Sequence, residues 1–262
     1  MPSPLTLAGI GILVTRPEQQ AGALCRLLEF HGAVTYRLPA LSIVEHPQRR
    51  ELLARLKTAP DFDLIIFVST NAVRFGADLL AQRRDLAIAA VGPATARALN
   101  QAGYRISIAS SEGFDSEHLL AHARLASLHG RRVLLVKGSG GRDLLEQQLA
   151  QRGAQIEIAC VYERRLVTPA PGKLFELERH FEAGQIQLIT ATSLEIARNL
   201  FVMAQGALRR HFDCALWVAP SARVAQGIRE LGVQQPVLQA TSAEDQELSN
   251  AILRWRSTVS GA

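Results

Sequence analysis

Residues 133–165 read VLLVKGSGGRDLLEQQLAQRGAQIEIACVYERR. The stretch begins with an apolar run, continues through a glycine-rich turn into a helical pattern, and ends on a second apolar run. Short continuous apolar runs are typical of strands that are buried on both faces, and a helix between two such strands connects them in parallel. The stretch therefore predicts a strand–helix–strand unit of a parallel sheet.

The same unit occurs near the start of the chain. When Val133 is aligned with Ile12, the cation Lys137 falls on Arg16. The further matches at this offset are Leu145 with Leu24, Leu149 with Leu28, and Gly153-Ala154 with Gly32-Ala33. A repeat of this length is too long for a solenoid and indicates two similar domains. Two similar domains in one chain predict a cleft between them, where a ligand can bind.

Apolar strand segments and helical segments alternate through both halves of the chain. This alternation predicts the α/β class, with two similar doubly wound, flavodoxin-like domains built on parallel sheets. The repeat alone would place the domain boundary near Gly130. A helix is expected over 117–128, and the second strand of the quoted unit is expected to end at Tyr162.

The composition is that of a globular protein with a sizeable core, since 48% of its 262 residues are hydrophobic and 20% are charged. The formal net charge of +5 favours an anionic partner. Aromatic residues are scarce and do not alternate with cations, so we expect no nucleic acid partner. The apolar stretch from Leu5 to Val14 is too short to span a bilayer, so we expect no membrane partner.

The cysteines and histidines give no sign of a disulfide or a metal site. Cys25, Cys160 and Cys214 are odd in number and widely spaced, which predicts small buried residues in a reducing compartment, the cytoplasm. His118 and His122 lie one helical turn apart, but no third ligand follows them. We expect a solvated helix face there in place of a metal site.

Known cofactor and hydrolase motifs are missing. The turn from Gly138 to Gly141 fits neither the GxGxxG pattern of dinucleotide-binding proteins nor the GxxxxGK[ST] pattern of phosphate-binding loops. The chain also lacks the GxSxG elbow of serine hydrolases. The sequence therefore shows neither of these two nucleotide-binding motifs and no sign of a serine hydrolase.

Ligands of such sheets bind at the carboxyl ends of the strands, where helices begin and present unpaired backbone N–H groups. The turns predicted at these ends are 15–16, 69–71, 92–95, 137–142, 192–193 and 220–221. They consist mostly of hydroxyls, glycines and cations, which can bind carboxylates or phosphates but offer no obvious proton-transfer pair. For Ser69, Thr95, Ser193 and Ser221 taken singly, capping of the following helix is the favoured role.

The glycines at these turns can simply shape the chain. Lys137 and Arg142 beside the glycine-rich turn make anion binding there as plausible as a purely structural role. Tyr162 follows an apolar strand, and its hydroxyl could reach the expected cleft. The residues alone still slightly favour a packing role for this tyrosine.

Five motifs, taken together, closely resemble those of the uroporphyrinogen-III synthase family, in order and over nearly the whole chain. They are VTRP at 14–17, FVSTNAV at 67–73, VGPATARAL at 91–99, GGR at 140–142 and VYER at 161–164. The resemblance implies a cofactor-free, cytoplasmic, monomeric lyase of haem (tetrapyrrole) biosynthesis. Such an enzyme closes linear hydroxymethylbilane into uroporphyrinogen III while it inverts ring D, and it can contact the preceding enzyme of the pathway transiently.

The resemblance also implies roles for individual residues. Tyr162 matches the family tyrosine that assists departure of the substrate hydroxyl and is the candidate catalytic residue. The candidate substrate-binding residues are Arg16, Ser69, Asn71, Gly92, Thr95, Lys137, Ser139, Gly140, Gly141, Ser193 and Ser221. The motifs around Ser193 and Ser221 are weaker forms of the family's own.

The family further implies a discontinuous domain organisation. One lobe would comprise 1–38 with 167–262 and the other 41–163, with 39–40 and 164–166 as hinge connectors. Two rival functions remain at this point: a non-catalytic two-lobed protein that binds a small anion, and a nucleotide-binding regulator.

Overall fold

The computed structural model describes residues 7–80, 86–109, 116–141 and 143–260. Contacts within the chain divide it into two compact units. Unit 1 comprises Met1–Ser42 and Arg165–Ala262, and unit 2 comprises Ile43–Arg164. The repeat boundary near Gly130 therefore lies inside unit 2. A hinge at 39–40 and 164–166 stays a prediction.

Strands and helices alternate along the described residues. The strands are β1 (Gly11–Val14), β2 (Val34–Arg37), β3 (Leu41–Glu45), β4 (Leu64–Phe67), β5 (Ala87–Ala90), β6 (Ile108–Ala109), β7 (Arg132–Gly138), β8 (Gln155–Leu166), β9 (Leu188–Thr190), β10 (Leu216–Ala219) and β11 (Val237–Gln239). The helices are α1 (Glu18–Phe30), α2 (Arg49–Thr58), α3 (Thr70–Gly76), α4 (Pro93–Gln101), α5 (Ser116–Leu120), α6 (Leu144–Gln151), α7 (Lys173–Glu182), α8 (Leu194–Met203), α9 (Gly206–Cys214), α10 (Ala222–Glu230) and α11 (Asp245–Ser260). Short 3-10 helices lie at Ala77–Leu80 and Ala123–Leu125.

The sheet of unit 1 has the strand order β2-β1-β9-β10-β11, and its neighbouring strands are parallel. This is the flavodoxin-like order, in which the chain first moves to one side of the central strand and then returns to the other. All four residues of β1 are buried, as its continuous apolar run requires of a strand covered on both faces.

Unit 2 repeats this order within one continuous segment of the chain, but its two strands β7 and β8 come last in the segment instead of first. Its sheet runs β3-β8-β7-β4-β5-β6, so β7 and β8 occupy the places that β1 and β2 hold in unit 1. The aligned residues Ile12 and Val133 therefore both lie on central strands. The α/β prediction with parallel, flavodoxin-like sheets is confirmed.

Each unit has a core of aliphatic side chains from the sheet and the helices that cover it. In unit 1, Leu24 and Leu28 of α1 pack with Ile252 of α11 and with the apolar side of β1. In unit 2, Leu145 and Leu149 of α6 pack against strands β4 and β7. The leucines that repeat at one offset in the sequence thus serve the same packing role in both units.

Two predicted element boundaries are wrong. The helix expected over 117–128 stops at Leu120, because the backbone of His122 is extended and its Nδ1 accepts a hydrogen bond from Arg124 N. The guanidinium of Arg152 then binds the carbonyls of Leu120 and Leu125. Strand β8 continues past Tyr162 to Leu166, so Tyr162 lies within the strand.

The cysteines are not uniformly buried as expected. All three are free, but only Cys25 is buried, whereas Cys160 is half-buried and Cys214 is exposed at the last position of α9. Within the part of the chain that the structure describes, no group of three or more His, Cys, Asp or Glu residues could hold a metal ion. No helix in that part has both the length and the apolar character needed to cross a bilayer.

Asp63, at the start of β4, gives unit 2 a pH-dependent contact. Its carboxylate accepts hydrogen bonds from Arg132 N (2.9 Å) and from the Arg131 guanidinium (2.7 Å), and these bonds lower the pKa of Asp63 below its ordinary value. A carboxylate whose pKa is lower in the folded state than in the unfolded state stabilises the fold at any pH above the unfolded-state pKa. This contribution is lost as the pH falls through the folded-state pKa. We therefore expect Asp63→Asn to lower Tm at neutral pH, with the difference from wild type disappearing in acid. An equal difference at all pH values would contradict this.

Candidate functional site

A cavity of about 300 Å³ lies in unit 2 at the carboxyl ends of β4 and β7. In the sheet β8 lies on one side of β7 and β4 lies on the other side. The strand order therefore reverses at β7, and the cavity lies at this topological switch point. Its lining residues are Val68, Ser69, Ser116, Leu135, Lys137, Gly138, Gly140, Gly141, Leu145, Tyr162 and Arg164. The structure thus brings five sequence-predicted site residues together: Ser69, Lys137, Gly140, Gly141 and Tyr162.

Three contacts fix the position of Tyr162, through its ring, its backbone carbonyl and its hydroxyl. Its ring stacks on Phe75 with centroids 6.0 Å apart, and its carbonyl accepts a hydrogen bond from Ser139 N at 2.9 Å. Its hydroxyl lies 3.2 Å from Ser69 Oγ. With only 6% of its surface exposed, Tyr162 is a packed residue that also lines the cavity.

Gly138 makes room for this ring. A Cβ at position 138 would lie 2.5 Å from two ring carbons of Tyr162, closer than any real Cβ contact. The pairing of β7 with β8 shifts at this point, since Lys137 pairs with Cys160 but Gly138 pairs with Tyr162. Such a bulge re-aims a side chain, here the tyrosine. Gly138 was not among the predicted site residues, and the only local signal for it is a glycine at the end of an apolar strand.

Three of the predicted serines cap helices. Ser69, Ser193 and Ser221 precede α3, α8 and α10, and the Oγ of each accepts a hydrogen bond from the backbone N–H three residues later, at 3.1, 3.2 and 3.4 Å. Capping uses only an acceptor position of the hydroxyl, so its hydrogen stays available. Ser69 Oγ also forms a hydrogen bond with the Tyr162 hydroxyl, in which either oxygen can be the donor.

Two further predicted residues lie on the turn after β5, next to β4 in the sheet. Gly92 is the residue that precedes α4, and its φ of +79° is a conformation that favours glycine. Thr95 is buried inside the first turn of α4, so it is not the cap that its sequence position suggested. Asn71 lies in the first turn of α3, directly after Ser69 and Thr70.

Lys137 supplies the cavity with a positive charge. The residue is buried, and its Nζ lies 3.4 Å from a carboxylate oxygen of Asp143, whose side chain is 62% exposed. The glycine turn that follows has positive φ at Gly140 and Gly141. Ser139 Oγ is buried and has no hydrogen-bond partner among the described residues. Arg142 lies outside the described residues.

In unit 1, Arg16 lies at the end of the corresponding central strand. Its guanidinium forms an ion pair with Asp245 and donates a hydrogen bond to the carbonyl of Ala243. Burial lowers the pKa of Arg16, and the charge of Asp245 opposes that shift. Ser193 and Ser221 lie on the next turns of the same sheet edge, after β9 and β10.

The cavity in unit 2 combines hydroxyl, ammonium and backbone donors. Among its lining residues that the structure describes, the titratable side chains are Lys137, Tyr162 and Arg164, and none of these is a carboxylate or a histidine that could form an acid–base pair. Such a site can bind carboxylates and can donate a hydrogen bond to a departing oxygen.

Comparison with known proteins identifies a matching family. The family model described as uroporphyrinogen-III synthase HemD matches residues 22–248. The uroporphyrinogen-III synthase of Salmonella typhimurium is 29% identical over 260 residues, and that of Escherichia coli is 28% identical over 250 residues. Each alignment covers 93% of this chain and 100% of the relative.

Solved structures give the same fold. A uroporphyrinogen III synthase mutant from the bacterium Thermus thermophilus superposes with a TM-score of 0.63 at 20% identity, covering 97% of this chain and 100% of that one. The uroporphyrinogen-III synthetase from Helicobacter pylori superposes with a TM-score of 0.61 at 14% identity, covering 94% of this chain and 99% of that one.

The close approach of Gly138 to Tyr162 can be tested by a double-mutant cycle. We expect Gly138→Ala to destabilise the protein by about 1–3 kcal/mol, because the new methyl group overlaps the ring. In a Tyr162→Ala background the same substitution should cost much less, since the ring is gone. Denaturant unfolding measures both differences, and an equal cost in the two backgrounds would show that the ring is not the obstacle.

Proposed function

The chain belongs to the uroporphyrinogen-III synthase family, and we propose how its own residues serve the reaction of that family. The reaction closes linear hydroxymethylbilane to uroporphyrinogen III, with loss of water and inversion of ring D, in tetrapyrrole biosynthesis. The chain is therefore a cyclising lyase.

The reaction sets two tasks for the protein. Loss of the hydroxymethyl oxygen as water leaves an electrophilic azafulvene, which the substituted carbon of ring D attacks to form a spiro-pyrrolenine. The spiro intermediate fragments and closes again with ring D reversed. The protein must assist departure of the oxygen, and it must hold the flexible bilane so that attack at the substituted carbon is faster than simple closure.

Tyr162 assists the first task. Ser69 Oγ already accepts the N–H of Ala72, so its own hydrogen can be donated to the Tyr162 oxygen. The phenol hydrogen then points elsewhere and can be donated to the departing substrate oxygen, directly or through a water molecule. The observation that carries this proposal is the 3.2 Å contact between the two hydroxyls in a cavity that also contains Lys137.

The second task falls to the donors that bind the acetate and propionate groups of the substrate. In unit 2 the ammonium group of Lys137 and the glycine turn after it can bind carboxylates by charge and by backbone N–H groups. The proposed substrate-binding residues are Ser69, Asn71, Gly92, Thr95, Lys137, Ser139, Gly140 and Gly141 in unit 2, and Arg16, Ser193 and Ser221 in unit 1. Binding at several carboxylates fixes the conformation of the bilane, which is the main source of catalysis here.

The proposal also covers the oligomeric state of the enzyme, its compartment and its contact with the preceding enzyme. It acts as a monomer in the cytoplasm, and contact with the preceding enzyme of the pathway is transient. The three free cysteines support a reducing compartment. Sedimentation of the purified protein, alone and mixed with hydroxymethylbilane synthase, measures both the monomeric state and the contact.

Turnover tests the function itself. Purified protein given freshly made hydroxymethylbilane should yield the type III isomer faster than the type I isomer forms spontaneously, as resolved by chromatography of the oxidised porphyrins. A non-catalytic protein that binds a small anion would leave type I as the only product.

Replacing the tyrosine separates catalysis from packing. We expect Tyr162→Phe to lower kcat by about 10²-fold, because the donor to the departing oxygen is lost. Stability should fall by only about 1 kcal/mol, since the ring keeps its contact with Phe75. Phe75→Leu is the matched control, which disturbs the stacking and retains the hydroxyl. If Tyr162→Phe lost stability and turnover in parallel, Tyr162 would be a packing residue.

A further inference from the structure

Arg16 is a largely buried cation that its own chain neutralises. Only 12% of its side chain is exposed, and it takes its ion-pair partner, Asp245, from the first position of α11. The carbonyl of Ala243, two residues earlier, accepts from the other terminal nitrogen. Its Nε is buried and has no hydrogen-bond partner among the described residues. The resident partners therefore do not saturate the guanidinium.

The internal repeat allows the position of Arg16 in unit 1 to be compared with that of Lys137 in unit 2. Arg16 and Lys137 occupy aligned positions of the repeat, Arg16 just after β1 and Lys137 near the end of β7, and each is paired with an aspartate. In unit 2 the aspartate is peripheral, because Asp143 is 62% exposed and 3.4 Å away, and a cavity remains beside the lysine. In unit 1 the carboxylate of Asp245 is in direct contact with the guanidinium of Arg16.

Exchange of one carboxylate for another has a low cost at such a position. A buried guanidinium requires an anion, and it keeps one throughout the exchange. The side chain of Asp245 is 27% exposed, so it can reach water without disruption of the core. Once released, its carboxylate still lies in the first turn of α11, where a helix N-terminus stabilises negative charge.

We propose that the switch point of unit 1 is a second carboxylate site, in which Asp245 is a resident occupant that a carboxylate on a flexible arm of the ligand replaces. The proposal rests on the proposed function, which supplies such arms as the acetate and propionate groups of the bilane. Asp245 then acts as a positioning residue, which keeps Arg16 charged and oriented until the substrate binds.

A binding experiment tests the site without turnover. In Asp245→Ala the guanidinium loses its partner, and acetate should refill the position. We expect a saturable rise in Tm of about 2–4 °C with sodium acetate, measured against sodium chloride at equal ionic strength. The double variant Arg16→Met with Asp245→Ala should show no such rise. Absence of a saturable, Arg16-dependent effect of acetate would overturn the proposal.

A matched control is available in the same unit. Arg209 and Asp213 form another ion pair, 3.1 Å apart and partly buried, on α9. Asp213→Ala breaks that pair away from the switch point, so its Tm should not depend on acetate. An equal response in this variant would mean that acetate acts on exposed arginines in general, which would also overturn the proposal.

Steady-state kinetics with Asp245→Asn test whether the substrate binds at this site. The same variant keeps the proposal testable if Asp245→Ala does not fold. Asparagine keeps the shape of aspartate but cannot compete as an anion. We expect KM for hydroxymethylbilane to fall by about fivefold with kcat little changed. An unchanged or higher KM at wild-type Tm would mean that Asp245 is only structural. Formation of type III product by the wild type tests the proposed function separately. Failure of the proposed function can therefore be distinguished from failure of the proposal for Asp245.

Discussion

In both units a largely buried positive charge lies at the carboxyl end of the central strand. Arg16 and Lys137 occupy this place, and a charge removed from water must be paired at close range. Asp245 and Asp143 provide that pairing, each from the beginning of a helix or the turn before it. The architecture of each switch point therefore depends on an ion pair between this cation and a carboxylate of the chain.

In the cavity of unit 2 a few contacts hold the phenol of Tyr162 in place, and the described lining residues include neither a set of metal ligands nor an acid–base pair. The bulge at Lys137 and Gly138 shifts the pairing of β8, and the missing side chain of Gly138 allows the Tyr162 ring to lie against the backbone. Ser69 connects this ring to the start of α3. The position of one phenol oxygen thus depends on a bulge, a glycine and a helix cap.

Such an arrangement suits a reaction whose outcome is decided by geometry. Hydroxymethylbilane closes by itself to the type I isomer, so the protein has to favour a different carbon of ring D. Hydrogen bonds and charges that bind several carboxylates at once restrict the conformations of the bilane before any bond forms. Under the proposed function, the single hydroxyl of Tyr162 is then sufficient to assist the departing oxygen.

The sequence by itself determined the alternation of strands and helices, the repeat, and the turns at which hydroxyls, glycines and cations gather, because these features depend on residues that are near one another in the chain. The sequence-based predictions were wrong for the helix that begins at Ser116 and for the end of β8. Contacts with Arg152 decide how far the helix runs, and pairing with the neighbouring strand decides how far β8 runs. Only the tertiary structure decided that Tyr162 meets Ser69 and that Arg16 meets Asp245. Those partners are separated by 93 and 229 positions, and the order of strands in each sheet, which local patterns do not encode, brings them together.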